Sequence, residues 1–253
     1  ESDLPVIASE KIETAELVRF ENVGFGYVEG NAVLDNISIT LERGKTYAFV
    51  GPTGGGKTTT ASLMARLYDP TSGIIIMDGR DLRSFTSSEL ADTIGFILQE
   101  PYMFTGTVRD NIVYGNAQYE HTTDDELIAV LKEHNLEELL SRFPGGLSAP
   151  VSTGSEGLSL GQRQLIAFMR VLLRKPKLLI LDEATANIDT VTEQLLDEIL
   201  HKLPKETTKV IIAHRLNTIA EADEIFFVNG GHVTPAGSLE HAVEMLMHGK
   251  RKS

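Results

Sequence analysis

The first part of the chain alternates apolar and polar residues with a period of two. Val18 to Val23 shows this alternation, and Asn36 to Leu41 repeats it after a turn around Glu29 to Asn31. A period of two predicts strands that bury one face. We therefore expect a pair of antiparallel strands near the N-terminus.

The next segment changes from strand to helical periodicity. Thr46 to Val50 is a short apolar run that ends in a glycine-rich turn, and Thr58 to Tyr68 then repeats apolar residues at helical spacing. This order predicts a strand, a loop and a helix. Ile74 to Met77 and Ile94 to Leu98 predict two further strands.

The second half contains longer helical patterns. Apolar residues recur at helical spacing from Asp124 to Phe143, and a helix is predicted from Gln162 to Leu173 after a glycine- and serine-rich segment. Lys177 to Leu181 predicts a buried strand, strand and helix then alternate to about Val228, and Leu239 to Met247 predicts a last amphipathic helix. Such alternation predicts an α/β fold with a mostly parallel sheet and helices on its faces.

Composition and charge limit the possible partners. The chain has 253 residues, with 23 Lys and Arg against 36 Asp and Glu, which gives a net charge of −13. Because this charge repels a phosphate backbone, we do not expect nucleic acid as a partner. The absence of cysteine excludes disulfides, thiol catalysis and cysteine metal sites, and it fits a reducing compartment.

The apolar runs are too short to cross a bilayer, which takes about 18 to 20 residues. The acidic start of the chain also lacks the apolar centre of a signal peptide. We therefore expect a soluble piece of a longer protein, in which residues 1–16 are a linker and residues 249–253 are a tail.

The segment from Gly51 to Thr58 satisfies the pattern GxxxxGK[ST] between a predicted strand and a predicted helix. Its glycines let backbone N–H groups converge on a phosphate, Lys57 would neutralise the β and γ phosphates, and the Thr58 hydroxyl would ligate Mg²⁺. The alternative is a tight glycine turn that binds nothing. The nucleotide-binding residues predicted in this region are Gly51, Thr53, Gly54, Gly55, Gly56, Lys57, Thr58 and Thr59.

Two adjacent carboxylates, Asp182 and Glu183, follow the apolar run Leu178 to Leu181. Ligands bind at the carboxyl ends of strands in open α/β sheets, so Asp182 would hold Mg²⁺ through water and Glu183 would orient or deprotonate the attacking water. The alternative is that Asp182 only caps the next helix. The two motifs predict a P-loop NTPase core and leave open a transporter motor, a repair ATPase, a kinase or a GTPase, although the usual base-reading sequence of GTPases is not evident.

Leu158 to Gln164, with the sequence LSLGQRQ, resembles the signature motif of the ATP-binding-cassette (ABC) transporters. The resemblance implies a nucleotide-binding domain in which Ser159, Gly161 and Gln162 close on ATP held by a second such domain. Two domains would then enclose two Mg-ATP head to tail. From the residues alone, Ser159 at a helix start is either an anion site or a plain helix cap paired with Gln162.

Four other residues lie where the family has functional positions. Gln99 resembles the Q-loop glutamine, which touches Mg²⁺ or the attacking water and connects to the membrane domains, and His214 resembles the switch histidine at the γ phosphate. Asp189 resembles the D-loop residue that crosses to the partner, and Tyr27 the aromatic that stacks on adenine. The alternatives are a polar turn for Gln99, a structural role for His214, and stacking by Phe25 with Tyr27 in the core.

The resemblance covers residues 18 to about 247, and Phe104 to Ile112 is similar to exporter-type domains. Thr153 to Gly157 departs from the exporter pattern, which has a Glu-Arg-Gly segment just before the signature. The resemblance implies an ATPase domain over residues 17–248, with an N-terminal antiparallel β subdomain and a helical signature subdomain at about 100–175. Its implied catalytic residues are Glu183, His214 and Gln99, and its implied metal ligands are Thr58, Gln99 and Asp182.

The implied partners are a second ABC ATPase domain and the transmembrane domains of a transporter, through which alone the domain would meet the membrane, at its cytoplasmic face. Two other functions compete with export. One is a soluble cassette ATPase of DNA repair or translation, and the other is a regulatory module that binds ATP without hydrolysing it. The transported substrate, and whether the second domain is identical, are open.

Overall fold

The computed structural model describes residues 4–152, 157–182, 189–212, 221–237, 240–242 and 244–245. The chain divides into two compact units. Unit one consists of Glu1–Ile94, Lys177–Asp182 and Lys205–Ser253, and unit two of Gly95–Pro176 and Glu183–Pro204.

The described strands are β1 (Glu16–Phe25), β2 (Leu34–Glu42), β3 (Thr46–Val50), β4 (Ser72–Met77), β5 (Arg80–Asp81), β6 (Ile94–Ile97), β7 (Gly106–Thr107), β8 (Pro150–Val151), β9 (Leu178–Asp182), β10 (Thr208–Ile212), β11 (Glu224–Asn229) and β12 (His232–Pro235). The described α-helices are α1 (Lys57–Met64), α2 (Ser87–Thr93), α3 (Val108–Val113), α4 (Asp124–Glu133), α5 (Glu137–Leu140), α6 (Leu160–Leu172) and α7 (Thr190–His201). None of the helices in the described ranges is long and apolar enough to span a membrane.

Unit one contains an antiparallel sheet with the strand order β2-β1-β4-β5. In the central strand β1, Val18 and Phe20 are buried, and they pair with Leu41 and Ile39 of β2. Burial of alternate residues stabilises this register, because a slip by one residue would expose the apolar set. The predicted antiparallel pair is therefore confirmed.

The second sheet of unit one has the order β12-β11-β3-β10-β9, in which β3 and β9 flank β10 and run parallel to it. Every residue of β9 is buried. Rings also pack across the sheet, since Phe226 lies 5.9 Å from Tyr47 and 5.2 Å from Phe49 between ring centroids. The prediction of an α/β fold with a mostly parallel sheet is thus confirmed.

Helix α1 ends four residues earlier than predicted, at Met64 and not at Tyr68. Arg66 has a φ of 51°, and the N–H of Leu67 donates to the Ser62 carbonyl oxygen at 2.9 Å. A residue in the left-handed conformation closes a helix in this way. The apolar spacing continues beyond the point where the backbone stops being helical, which is why periodicity overran the end.

The first described residues lie along unit one. The N–H of Ile7 donates to the Arg83 carbonyl oxygen at 3.1 Å, and the N–H of Ile12 donates to the Gly79 carbonyl oxygen at 2.8 Å. Lys11 forms an ion pair with Asp78 at 2.9 Å. Within the predicted linker of residues 1–16, Ile7, Lys11 and Ile12 therefore bond to other segments of unit one.

Unit two contains five of the seven described α-helices. The helical pattern from Asp124 to Phe143 forms two helices, α4 and α5, because Asn135 adopts a φ of 58° between them. Helix α6 begins at Leu160, two residues before the predicted start.

Of the predicted C-terminal helix, which belongs to unit one, only residues 240–242 and 244–245 are described, and these are helical.

Candidate nucleotide-binding site

The glycine-rich loop leaves β3 at Gly51 and enters α1 at Lys57. A Cβ atom at Gly51 would lie 1.9 Å from the carbonyl oxygen of Val228, so only glycine allows the loop to pass this close to β11. Gly54 has a φ of 78°, and no atom lies within 4 Å of a Cβ built there. The loop is therefore packed at its base and open at its apex.

The start of α1 differs from the starts of four other described helices. Helices α2, α3, α4 and α6 each begin with a capping box, whereas α1 follows Gly56, and no side chain caps it and no acidic residue lies in its first turn. The first N–H groups of a helix attract an anion. This helix start therefore fits a phosphate group.

Lys57 is buried beside the loop that it follows. Its ammonium group donates to the carbonyl oxygens of Gly51 and Pro52 at 2.9 and 3.0 Å. The positive charge thus lies within the curve of the loop, which is the position that a phosphate-binding lysine requires.

Thr58 and Asp182 meet at the carboxyl edge of the parallel sheet. The Thr58 hydroxyl donates to Asp182 Oδ1 at 3.4 Å. Sheet register explains this position, because Ile212 pairs with Phe49 on one side and with Asp182 on the other. The loop after β3 and the last residue of β9 therefore emerge side by side.

A hydroxyl oxygen beside a carboxylate oxygen is a donor set that suits Mg²⁺. The described residues include no group of three or more His, Cys, Asp or Glu that could hold a metal. Magnesium commonly takes one or two protein ligands and completes its shell with water and substrate phosphates. Thr58 and Asp182 fit a metal that arrives with a nucleotide.

Tyr27 lies close to the same helix. Its hydroxyl is 3.1 Å from the Thr59 hydroxyl, and 52% of its surface is exposed, against 5% for Phe25. A ring must be accessible to stack on a base. The exposure therefore favours Tyr27 over Phe25 for this role.

The signature residues lie in unit two, at the start of α6. Ser159 Oγ accepts from the Gln162 N–H, and Gln162 Oε1 accepts from the Ser159 N–H, both at 3.1 Å. Ser159 is thus the helix cap that was one of its two interpretations, and Gly161 lies in the first turn. Ser159 is also exposed, so its capping role leaves it accessible to another molecule.

Gln99 and Asp189 also belong to unit two. The Gln99 carbonyl oxygen accepts from Gln164 Nε2 at 3.1 Å. Asp189 caps α7, because it accepts from the N–H and the hydroxyl of Thr192 at 3.0 and 2.7 Å. The Thr192 hydroxyl and N–H hold the pKa of Asp189 below its usual value.

Two of the predicted catalytic residues, Glu183 and His214, lie outside the described residues. Unit one brings together Lys57, Thr58 and Asp182, and it joins Tyr27 to Thr59.

Sequence reasoning did not place Tyr68 beside Tyr27, although their ring centroids lie 5.2 Å apart. Pro70 was an available signal, because a proline disfavours helical conformation in the residue before it and so argues against a helix through this segment.

The fold and the loop define a P-loop nucleotide-binding domain. Residues 34–186 match the family model described as ABC transporter, which is more than half of the chain. The chain belongs to the ABC transporter family, as the signature resemblance implied.

Relatives agree with this assignment. The ABC transporter ATP-binding protein YfiC of Bacillus subtilis (strain 168) is 43% identical over 226 residues, which cover 89% of this chain and 37% of YfiC. YheH of the same organism, a probable multidrug resistance ABC transporter ATP-binding/permease protein, is 39% identical over 228 residues, which cover 90% of this chain and 33% of YheH.

A solved structure of a bacterial Atm1-family ABC exporter with ATP bound matches with a TM-score of 0.82 and 31% identity, over 99% of this chain and 44% of that one. The chain thus spans between a third and a half of the length of these proteins. It is an ATP-binding domain similar to those of ABC exporters.

Proposed function

We propose that this domain binds and hydrolyses Mg-ATP and that it powers export as part of a longer transporter. In this proposal it pairs with a second ABC ATPase domain and acts on transmembrane domains from the cytoplasmic face of a membrane. The observation that carries the proposal is the convergence of Lys57, Thr58 and Asp182 at the uncapped start of α1.

The side chains of unit one support binding. Lys57 and the first N–H groups of α1 would attract the phosphates, while the Thr58 hydroxyl would ligate the magnesium ion and Asp182 would hold it through water. When bound, the ion neutralises charge on the phosphate oxygens. Tyr27 supplies a ring for the base, and its hydroxyl contact with Thr59 connects that ring to α1.

Hydrolysis needs groups that handle water. Glu183 would orient or deprotonate the attacking water, His214 would steady it at the γ phosphate, and Gln99 would touch the metal or the water. The three residue types match the family pattern, which supports a hydrolysing domain over a regulatory module. Catalysis here is mainly positioning and electrostatic stabilisation.

Pairing with a second domain would complete each site. Ser159, Gly161 and Gln162 would close on the nucleotide of the partner, and Asp189 would cross towards it. The exposed position of Ser159 supports this role, because its hydroxyl accepts the capping bond from Gln162 and still has an O–H group to donate to an anion. Similarity to exporters supports transport over DNA repair or translation.

Phosphate release from Mg-ATP tests the proposal directly. We expect the 253-residue chain to release phosphate, Lys57→Ala to lose ATP binding and release, and Glu183→Gln to bind ATP without turnover. Lys132→Ala, which changes an exposed lysine of α4, is the matched control and should behave as wild type. Equal turnover in Lys57→Ala would overturn the assignment, and binding without release in the wild type would favour the regulatory module.

A further inference from the structure

The chain turns sharply after α1 and brings a second tyrosine to the base-stacking candidate. Arg66 adopts a φ of 51°, and Tyr68 then lies against Tyr27 with a centroid distance of 5.2 Å and an angle of 87° between the rings. Tyr68 keeps 43% of its surface exposed. The early end of α1 therefore has a consequence for the candidate nucleotide site.

Three contacts fix the ring of Tyr27. Phe25 lies 4.9 Å away at 85°, Tyr68 makes the second perpendicular contact, and the Thr59 hydroxyl lies 3.1 Å from the Tyr27 hydroxyl. Phe25 and Tyr68 are also 5.5 Å apart, so the three rings form a closed aromatic triad of Phe25, Tyr27 and Tyr68. Perpendicular ring pairs are a preferred arrangement, so the orientation of Tyr27 is set before any ligand binds.

The turn that carries Tyr68 is itself fixed. The guanidinium of Arg66 is buried, and it donates to the carbonyl oxygens of Phe85 and Pro5 at 2.9 and 2.6 Å and to Asp69 Oδ1 at 3.1 Å. A buried charge with several hydrogen bonds resists displacement. These bonds hold the turn from which the Tyr68 ring contacts Tyr27.

We propose that Tyr68 is a positioning residue for the nucleotide base, which holds the Tyr27 ring in the orientation that stacks on adenine. The inference rests on the base-stacking role of Tyr27 in the proposed function. A ring that is already ordered loses less freedom when the base binds, so affinity for the base is higher. Tyr68 acts through Tyr27 and is not required for contact with the phosphates.

Two ligands distinguish binding through the base from binding through the phosphates. ADP carries the base and is not hydrolysed, whereas inorganic tripolyphosphate carries only the phosphate chain. In titration calorimetry with Mg²⁺, we expect Tyr68→Ala to weaken ADP binding about two- to tenfold, the range of one aromatic pair, and to leave tripolyphosphate binding unchanged. Tyr68→Phe keeps the ring and should stay within about twofold of wild type.

Other results would contradict the positioning role. Equal weakening of ADP and tripolyphosphate would mean that Tyr68→Ala disturbs the phosphate loop, and unchanged ADP binding would mean that Tyr27 needs no support from Tyr68. Tyr102→Ala removes an exposed tyrosine of unit two and should leave both affinities unchanged. Thermal unfolding of each variant confirms that the fold is retained.

Tyr27→Ala distinguishes failure of this inference from failure of the proposed function. If Tyr27→Ala leaves ADP affinity unchanged, the base-stacking role is wrong and the positioning role falls with it. If Tyr27→Ala weakens ADP binding and Tyr68→Ala does not, only the positioning role is wrong. With both correct, the double variant binds ADP no more weakly than Tyr27→Ala alone, because the two effects share one ring.

Discussion

Thr58 and Asp182 are 124 positions apart in sequence, yet the hydroxyl of one donates to the carboxylate of the other. Parallel register alone does not place side chains, but it brings the two backbone positions to the same edge of the sheet. The hydroxyl oxygen is the atom that matters for a metal, because carbon in its place offers no lone pair.

We therefore expect Thr58→Ala to raise the Mg²⁺ concentration for half-maximal phosphate release by about 10- to 100-fold. The measurement is phosphate release at fixed ATP across a series of Mg²⁺ concentrations. Thr58→Ser keeps the hydroxyl and is the matched control, with a Mg²⁺ dependence close to that of wild type. An unchanged Mg²⁺ dependence in Thr58→Ala would remove Thr58 from the metal site.

Single substitutions can separate two functions of the start of helix α6, helix capping and contact with a nucleotide. Ser159 caps the helix in this structure, and the family resemblance gives the same serine a contact with the nucleotide of a partner. Aspartate caps a helix as well as serine does, but its charge repels a γ phosphate.

Ser159→Asp should therefore keep the free energy of unfolding near that of wild type while ATP hydrolysis falls by about tenfold or more. Ser159→Ala should lower the free energy of unfolding by about 1 kcal/mol through loss of the cap. Urea denaturation and phosphate release on the same preparations give both quantities. Full hydrolysis by Ser159→Asp would leave Ser159 with the capping role alone.

Most of the longer strands could be predicted from sequence, because they are alternating or apolar runs with a clear boundary. The short strands β5, β7, β8 and β12 were not predicted, because two to four residues are too few to show a periodicity. The strand Thr46–Val50 has the predicted bounds. Helix ends were harder to predict, since Arg66 and Asn135 both interrupt helical segments by adopting positive φ, which leaves no trace in the spacing of apolar residues.

In the candidate site, too, some features could be predicted from sequence and others could not. The positions of Lys57, Thr58 and Asp182 at the carboxyl edge of the sheet could be predicted, because their motifs fix residue type and spacing along the chain. The contact between Tyr68 and Tyr27 could not, because it depends on a turn and on the packing of three rings that no local pattern encodes.

At the scale of the molecule, Asp78 connects segments of unit one that are distant in sequence. It is buried and forms ion pairs with Lys11, Arg43 and Lys177, so one carboxylate joins the first residues, the end of β2 and the start of β9. Burial alone would raise the pKa of Asp78, but the hydrogen bonds from Lys11, Lys177 and Arg43 outweigh it and hold the pKa well below its usual value.

We expect Asp78→Asn to lower the free energy of unfolding at pH 7 by about 1 to 3 kcal/mol. Because the folded pKa is lowered, the ionised group stabilises the fold above about pH 4, and this stabilisation is lost as the pH falls further. Urea denaturation at pH 7 and at pH 3 should therefore show a smaller difference between wild type and variant at pH 3. A constant difference would mean that the charge of Asp78 does not matter.

Two copies of the chain should pair around ATP when hydrolysis is blocked. Glu183→Gln should bind Mg-ATP without turning it over. The bound nucleotides should then hold two copies together, because in the proposed dimer each nucleotide would be enclosed by the loop of one copy and Ser159 of the other. Size-exclusion chromatography with light scattering should show a dimer with Mg-ATP and a monomer without it. Adding Lys57→Ala to the variant should abolish the dimer, since the nucleotide no longer binds. A dimer that forms without nucleotide would contradict this model, and a monomer with ATP bound would show that copies of this chain do not pair with each other.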